Sequence, residues 1–143
     1  MSVGAPRMPL ALGLGGLAPF IGLTALATLG PDGWQSQSLH MLMVYGALIL
    51  SFLGGVTWGS ALSHERRSST WLYSMVPFFT GWVALLLPFE RGIWLMVLAF
   101  AGAWAIDRLT QDELAPPRWF LQLRTLLTGV VVTCLMVTGA TTL

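Results

Sequence analysis

Residues 45–63 read YGALILSFLGGVTWGSALS, without a single charged side chain. Taken every fourth residue, Ala47, Ser51, Gly55, Gly59 and Ser63 are all small. Residues four apart share one face of a helix, so these five form a ridge along most of a helix. In lipid, where apolar burial does not drive helices together, small residues let two backbones approach closely and van der Waals contact holds the pair. The stretch therefore predicts a membrane helix whose small face meets another helix, within this chain or in a partner protein.

The rest of the chain agrees with that reading. Of 143 residues, 55% are hydrophobic and 9% charged, whereas a soluble domain carries about a quarter charged residues. The length suits one membrane domain. A formal net charge of +1, with no clustered basic face, speaks against nucleic acid as a partner. All seven basic residues are arginine, a bias typical of GC-rich bacterial genomes. The single Cys134 lies in an apolar run, the setting of a packing residue rather than of a reactive thiol.

Five apolar runs predict an all-α, integral membrane bundle of five transmembrane helices, at about 8–29, 39–62, 70–87, 92–109 and 119–140. Each is near the length of about 20 residues that a hydrocarbon core requires. The first carries four glycines and Pro19, so a kink is expected near Pro19. Ala25-Leu26-Ala27 resembles a signal-peptidase site, but the run is long for a signal peptide, and a retained helix is expected. Gly30–Ser38 and His64–Ser69 read as loops, Phe89–Arg91 as the turn of a tight hairpin, and Thr110–Arg118 as a polar loop ending in Pro116-Pro117. Arg7, Arg66, Arg67, Arg108, Arg118 and Arg124 fall on or near the side of the N-terminus, and Arg91 alone on the other. Short loops rich in arginine stay in the cytoplasm, which predicts the N-terminus in the cytoplasm and the C-terminus outside. Trp71 and Trp119 on one side, and Trp34 and Trp94 on the other, fit two aromatic belts.

Polar residues in the spans are few. Asp107 ends the fourth run and Arg124 lies a short way into the fifth. A carboxylate within a span is costly unless paired, so an Asp107–Arg124 ion pair is expected if the two helices run antiparallel. His40 and His64 stand a whole helix apart, and with one cysteine they make no metal or haem site. No serine has the histidine and acid of a nucleophile. The expectation is a protein without catalytic residues, metal or cofactor. Tyr45, Ser51, Thr57 and Trp58 flank the ridge and are the candidates for a small pocket.

YGALILSFLGGVTWG (residues 45–59) and PPRWFLQLRTLLT (116–128), together with GLAPF (16–20) and AID (105–107), resemble the transmembrane protein 69 family, a domain of unknown function in bacteria and mitochondria. The resemblance spans nearly the whole chain. It implies a multi-pass protein of the bacterial inner membrane and carries over no reaction, cofactor or catalytic residue. The partners expected are the lipid bilayer and another integral membrane protein or complex, to which this chain would be a non-enzymatic accessory, assembly or stabilising subunit. The alternative is a small carrier or binding protein for a lipid, a quinone or another weakly polar solute, using the pocket beside the ridge.

Overall fold

The fold is that of a computed structural model, which describes residues 7–31, 33–64, 68–109 and 118–142. Among the described residues six helices follow in order: α1 Arg7–Gly15, α2 Leu17–Leu29, α3 Gln35–His64, α4 Ser68–Leu86, α5 Phe89–Leu109 and α6 Arg118–Thr142. Four segments of the described residues are long and apolar enough to cross a membrane: Leu10–Leu29, Gln35–Gly59, Phe89–Arg108 and Arg118–Thr141. The apolar part of α4, Trp71–Leu86, is shorter. The whole of α4 has 19 residues, about 28 Å at 1.5 Å per residue, against a hydrocarbon core of about 30 Å.

The break between α1 and α2 falls at Gly16, one turn before Pro19. Proline has no N–H and its ring crowds the carbonyl four residues back, which here is that of Gly15. The helical hydrogen-bond pattern is therefore interrupted at Gly15-Gly16, while Gly16 keeps helical dihedrals. Tyr45 on α3 donates its hydroxyl to the Gly16 carbonyl at 2.8 Å, supplying a partner at the interrupted turn.

Beyond Gly30, the Trp34 N–H donates to the Pro31 carbonyl at 3.2 Å, and Gly33 sits at φ +96°, a left-handed conformation that favours glycine. Helix α3 begins at Gln35, earlier than the apolar run alone suggests, because Gln35–Ser38 are polar but continue the helix. The second turn is also shorter than its polar residues imply. Pro88 accepts from the N–H groups of Arg91 and Gly92 at 3.0 and 2.8 Å, so Phe89, Glu90 and Arg91 already belong to α5. Glu90 in the first turn suits the positive end of the helix dipole.

Successive segments run antiparallel, as named contacts show. On α3 and α4, Trp58 meets Trp71 edge to face with ring centres 4.6 Å apart. Farther along, Gly54 lies under the Ser74 carbonyl, and Gly81 lies against Ala47 and Leu50. On α4 and α5, Gly92 lies under the Ala84 carbonyl. On α5 and α6, Asp107 pairs with Arg124 near one end, while the Trp94 ring covers Gly139 near the other. Helix α5 also packs on α3, with Met96 over Gly46. Arg7, Arg108 and Arg118 thus stand toward one end of the bundle and Arg91 at the other; Arg66 and Arg67 lie outside the described residues.

The core gathers Phe20, Leu42, Leu50, Ile93, Met96, Phe100 and Leu135, all essentially inaccessible. Phe20 is its hub, edge to face with Tyr45 at 5.1 Å and with Phe100 at 6.0 Å, an arrangement that adds to apolar burial. The exterior is equally apolar: Leu48, Phe52, Leu72, Phe79, Trp82, Leu98 and Leu126 are exposed. Apolar surface on this scale marks a membrane-facing protein.

Candidate functional site

Polar side chains concentrate where α5 ends and α6 begins. Antiparallel packing sets the last turns of α5 beside the first turns of α6, so residues 17 and 21 positions apart in sequence meet in space. Arg124 donates from Nε to Asp107 Oδ2 at 2.7 Å, and from Nη1 to Thr128 Oγ1, one turn farther along α6, at 2.8 Å. Trp104 Nε1 donates to Thr125 Oγ1 at 3.0 Å, and the Thr125 hydroxyl donates to the Leu121 carbonyl at 2.9 Å. The Arg108 guanidinium stands 5.5 Å from the centre of the Trp104 ring, within cation–π range.

Burial makes the Asp107–Arg124 pair consequential. Arg124 is 6% exposed, and the Asp107 side chain is 21% exposed. Removing one member of a buried pair strands the other charge, at a cost of about 3–5 kcal/mol. One guanidinium nitrogen, Arg124 Nη2, is buried without a hydrogen-bond partner. A recess of about 10 Å³ adjoins it, lined by Leu53, Thr57, Tyr73, Pro77, Ala103, Ile106, Asp107 and Arg124. Four helices meet there, so an ionic seam and a small void occupy one junction.

The four residues read from the sequence as a pocket have separate surroundings. Thr57 lines the recess, and its hydroxyl donates to the Leu53 carbonyl at 3.4 Å. Tyr45 is engaged with Gly16 and Phe20. Ser51 donates to the Ala47 carbonyl at 3.0 Å, and Trp58 packs on Trp71.

The small ridge of α3 is divided in the same way. Ala47 is buried against α4, Ser51 is half-buried, and Gly55 and Gly59 are exposed; the side chain of Ser63 lies outside the described residues. A Cβ added at Gly55 would meet nothing within 4 Å. The closest backbone approach of α3 runs instead through Gly54, against the Ser74 carbonyl, and Ala47, against Gly81; Gly54 stands one residue round from the ridge. Sequence reading missed Gly54 because one face of alternating small residues looks much like the next. It also missed a shallow furrow on α6 lined by Thr125, Leu126, Gly129, Val130, Thr133 and Cys134. There the spacing of Thr125, Gly129 and Thr133 was the available signal.

Comparison with known proteins places the whole chain. A family profile described as protein of unknown function (DUF3429) matches residues 5–140. Transmembrane protein 69 of Xenopus tropicalis is 34% identical over 134 residues, covering 90% of this chain and 52% of the relative. The chain thus spans about half the length of this relative. No solved structure matches the chain. With the profile covering nearly every residue, the chain belongs to this transmembrane protein 69-like family of multi-pass membrane proteins of unknown function.

Proposed function

We propose that the protein is a non-enzymatic accessory, assembly or stabilising subunit that packs against a larger membrane complex through helix α3. The observation that carries this reading is Gly55, exposed on the helix and open to any approaching backbone. Phe52 and Trp58 stand exposed on either side in sequence, and Leu48 and Leu62 lie farther along. A glycine flanked by large apolar residues forms a notch into which another transmembrane helix fits, and none of the described residues fills it. The partner is another integral membrane protein.

The arginine asymmetry supports the N-terminus in the cytoplasm and the C-terminus outside, in a bacterial inner membrane. The alternative of a carrier for a lipid or quinone that uses the pocket beside the ridge draws less support. The recess at Thr57 has a volume of about 10 Å³, room for one water molecule, whereas ligand pockets run to hundreds of cubic ångströms.

The test is a photo-crosslinking residue at Phe52 in native membranes, with Leu98 on α5 as an equally exposed control. The expected result is one membrane-protein adduct from position 52, absent from position 98 and abolished by Gly55→Leu. Lipid adducts alone at position 52, or an adduct unchanged by Gly55→Leu, would overturn the reading.

A further inference from the structure

We propose that the recess between α3, α4, α5 and α6 is a binding site for one water molecule, which completes the hydrogen bonding of Arg124. The proposal is independent of the partner-docking role of α3. It starts from a buried orphan: Nε and Nη1 of Arg124 are engaged with Asp107 and Thr128, while Nη2 has no partner. Leaving a charged donor unsatisfied in an apolar interior is expensive, and in a bilayer no bulk water stands by to compensate.

The size and lining of the void select the occupant. About 10 Å³ is room for one water. A bound water needs two to four polar partners, and the lining offers them. Arg124 Nη2 donates. Thr57 Oγ1 spends its own proton on the Leu53 carbonyl and keeps its lone pairs for accepting. Pro77, also in the lining, has no N–H to give the Tyr73 carbonyl one turn back, and Tyr73 lines the same void. Ordered water is one of the means by which membrane helices satisfy a carbonyl freed by proline. The same molecule thus serves a guanidinium on α6 and acceptors on α3 and α4.

Charge argues against an anion. Asp107 already neutralises the Arg124 guanidinium at 2.7 Å. Chloride would bring a surplus negative charge beside that carboxylate in a region of low dielectric, where like charges repel strongly. A neutral occupant that both accepts and donates fits the site, and water is the one of this size.

The experiment uses the full chain, with arginine side chains isotope-labelled, in lipid nanodiscs. Seven arginines keep the guanidinium region of the nuclear magnetic resonance spectrum sparse, and Arg124→Lys assigns the signal. The expected result is magnetisation transfer from water to the Arg124 guanidinium protons. Ala103→Leu, which fills the void, abolishes it while the Trp104 indole N–H signal keeps its position. Thr57→Val removes one acceptor and keeps the packing should the larger variant fail to fold. It lowers the transfer roughly fivefold, the value of one net hydrogen bond. Absence of transfer in the unmodified protein overturns the proposal, as does transfer from lipid protons in place of water. A shift of the Arg124 signals when gluconate replaces chloride would overturn it in favour of an anion site.

Discussion

The hydroxyl of Tyr45 on α3 donates to the carbonyl of Gly16, 29 residues earlier in the chain, at 2.8 Å. The bond lies at the turn that Pro19 interrupts, and the ring of Tyr45 packs on Phe20 from the same broken segment. One side chain thus holds the first membrane pass to the second by two separable interactions. Tyr45→Phe keeps the ring and loses only the hydrogen bond, worth about 1 kcal/mol between membrane helices. Tyr45→Ala loses both, and removal of a large packed aromatic costs about 3–5 kcal/mol. Unfolding midpoints in a fixed detergent should rank the parent above Tyr45→Phe, with Tyr45→Ala well below. Equal midpoints for the two variants would mean that the ring contributes nothing.

The Asp107–Arg124 pair predicts non-additivity. Either Asp107→Arg or Arg124→Asp alone places two like charges at one buried point, and each should sharply reduce the yield of folded protein. The exchange of both charges should recover a substantial part, because attraction is restored while the geometry toward Thr128 is not. A double-mutant cycle on the milder pair Asp107→Asn and Arg124→Gln should give a coupling energy of about 1–3 kcal/mol. Additive effects would show that the two side chains are neighbours without energetic dependence.

Gly54 and Gly55 are adjacent and should respond unequally to the same change. A Cβ on Gly54 would strike the Ser74 carbonyl of α4, whereas one on Gly55 would meet nothing within 4 Å. Backbone cannot move aside as the tip of a flexible side chain can. Gly54→Ala therefore forces α3 and α4 apart and should destabilise by about 1–3 kcal/mol. Gly55→Ala should stay within about 0.5 kcal/mol of the parent, as substitutions away from packed features do. Thermal unfolding of the two purified variants decides the matter, and similar losses for both would place the α3–α4 crossing elsewhere.

This contrast also shows how far the sequence could be read. Apolar runs report the order of the apolar helices, because lipid forces every backbone group into helix. The meeting of Asp107 with Arg124 was legible for a similar reason: an isolated charge in a span needs a partner, and few stood within reach. The face that α3 turns toward α4 was not. Gly46, Gly54, Gly55 and Gly59 offer several overlapping small stripes, and only the register with α4 shows that Gly54 lies inside and Gly55 outside. The recess was hidden too, since it arises from four helices meeting and from Pro77, whose loss of an N–H matters only once Thr57 and Arg124 are beside it.

Orientation in the membrane gives a last prediction. Arg7, Arg108 and Arg118 stand toward one end of the bundle, Arg91 at the other, and the sequence adds Arg66 and Arg67 to the first group. Arginine-rich short loops are held on the cytoplasmic side, so that end should face inward. Cysteine substituted for Gln35 or Glu90, both exposed at the opposite end, should react with a membrane-impermeant maleimide in intact cells from which the outer membrane has been stripped. Cysteine substituted for Ala115 should react only after the inner membrane is permeabilised. Cys134 should be replaced by serine in every variant, since it lines the furrow on α6 and would add background. The reverse pattern would place the N-terminus outside, and labelling of all three positions in intact cells would mean that the chain inserts in both directions.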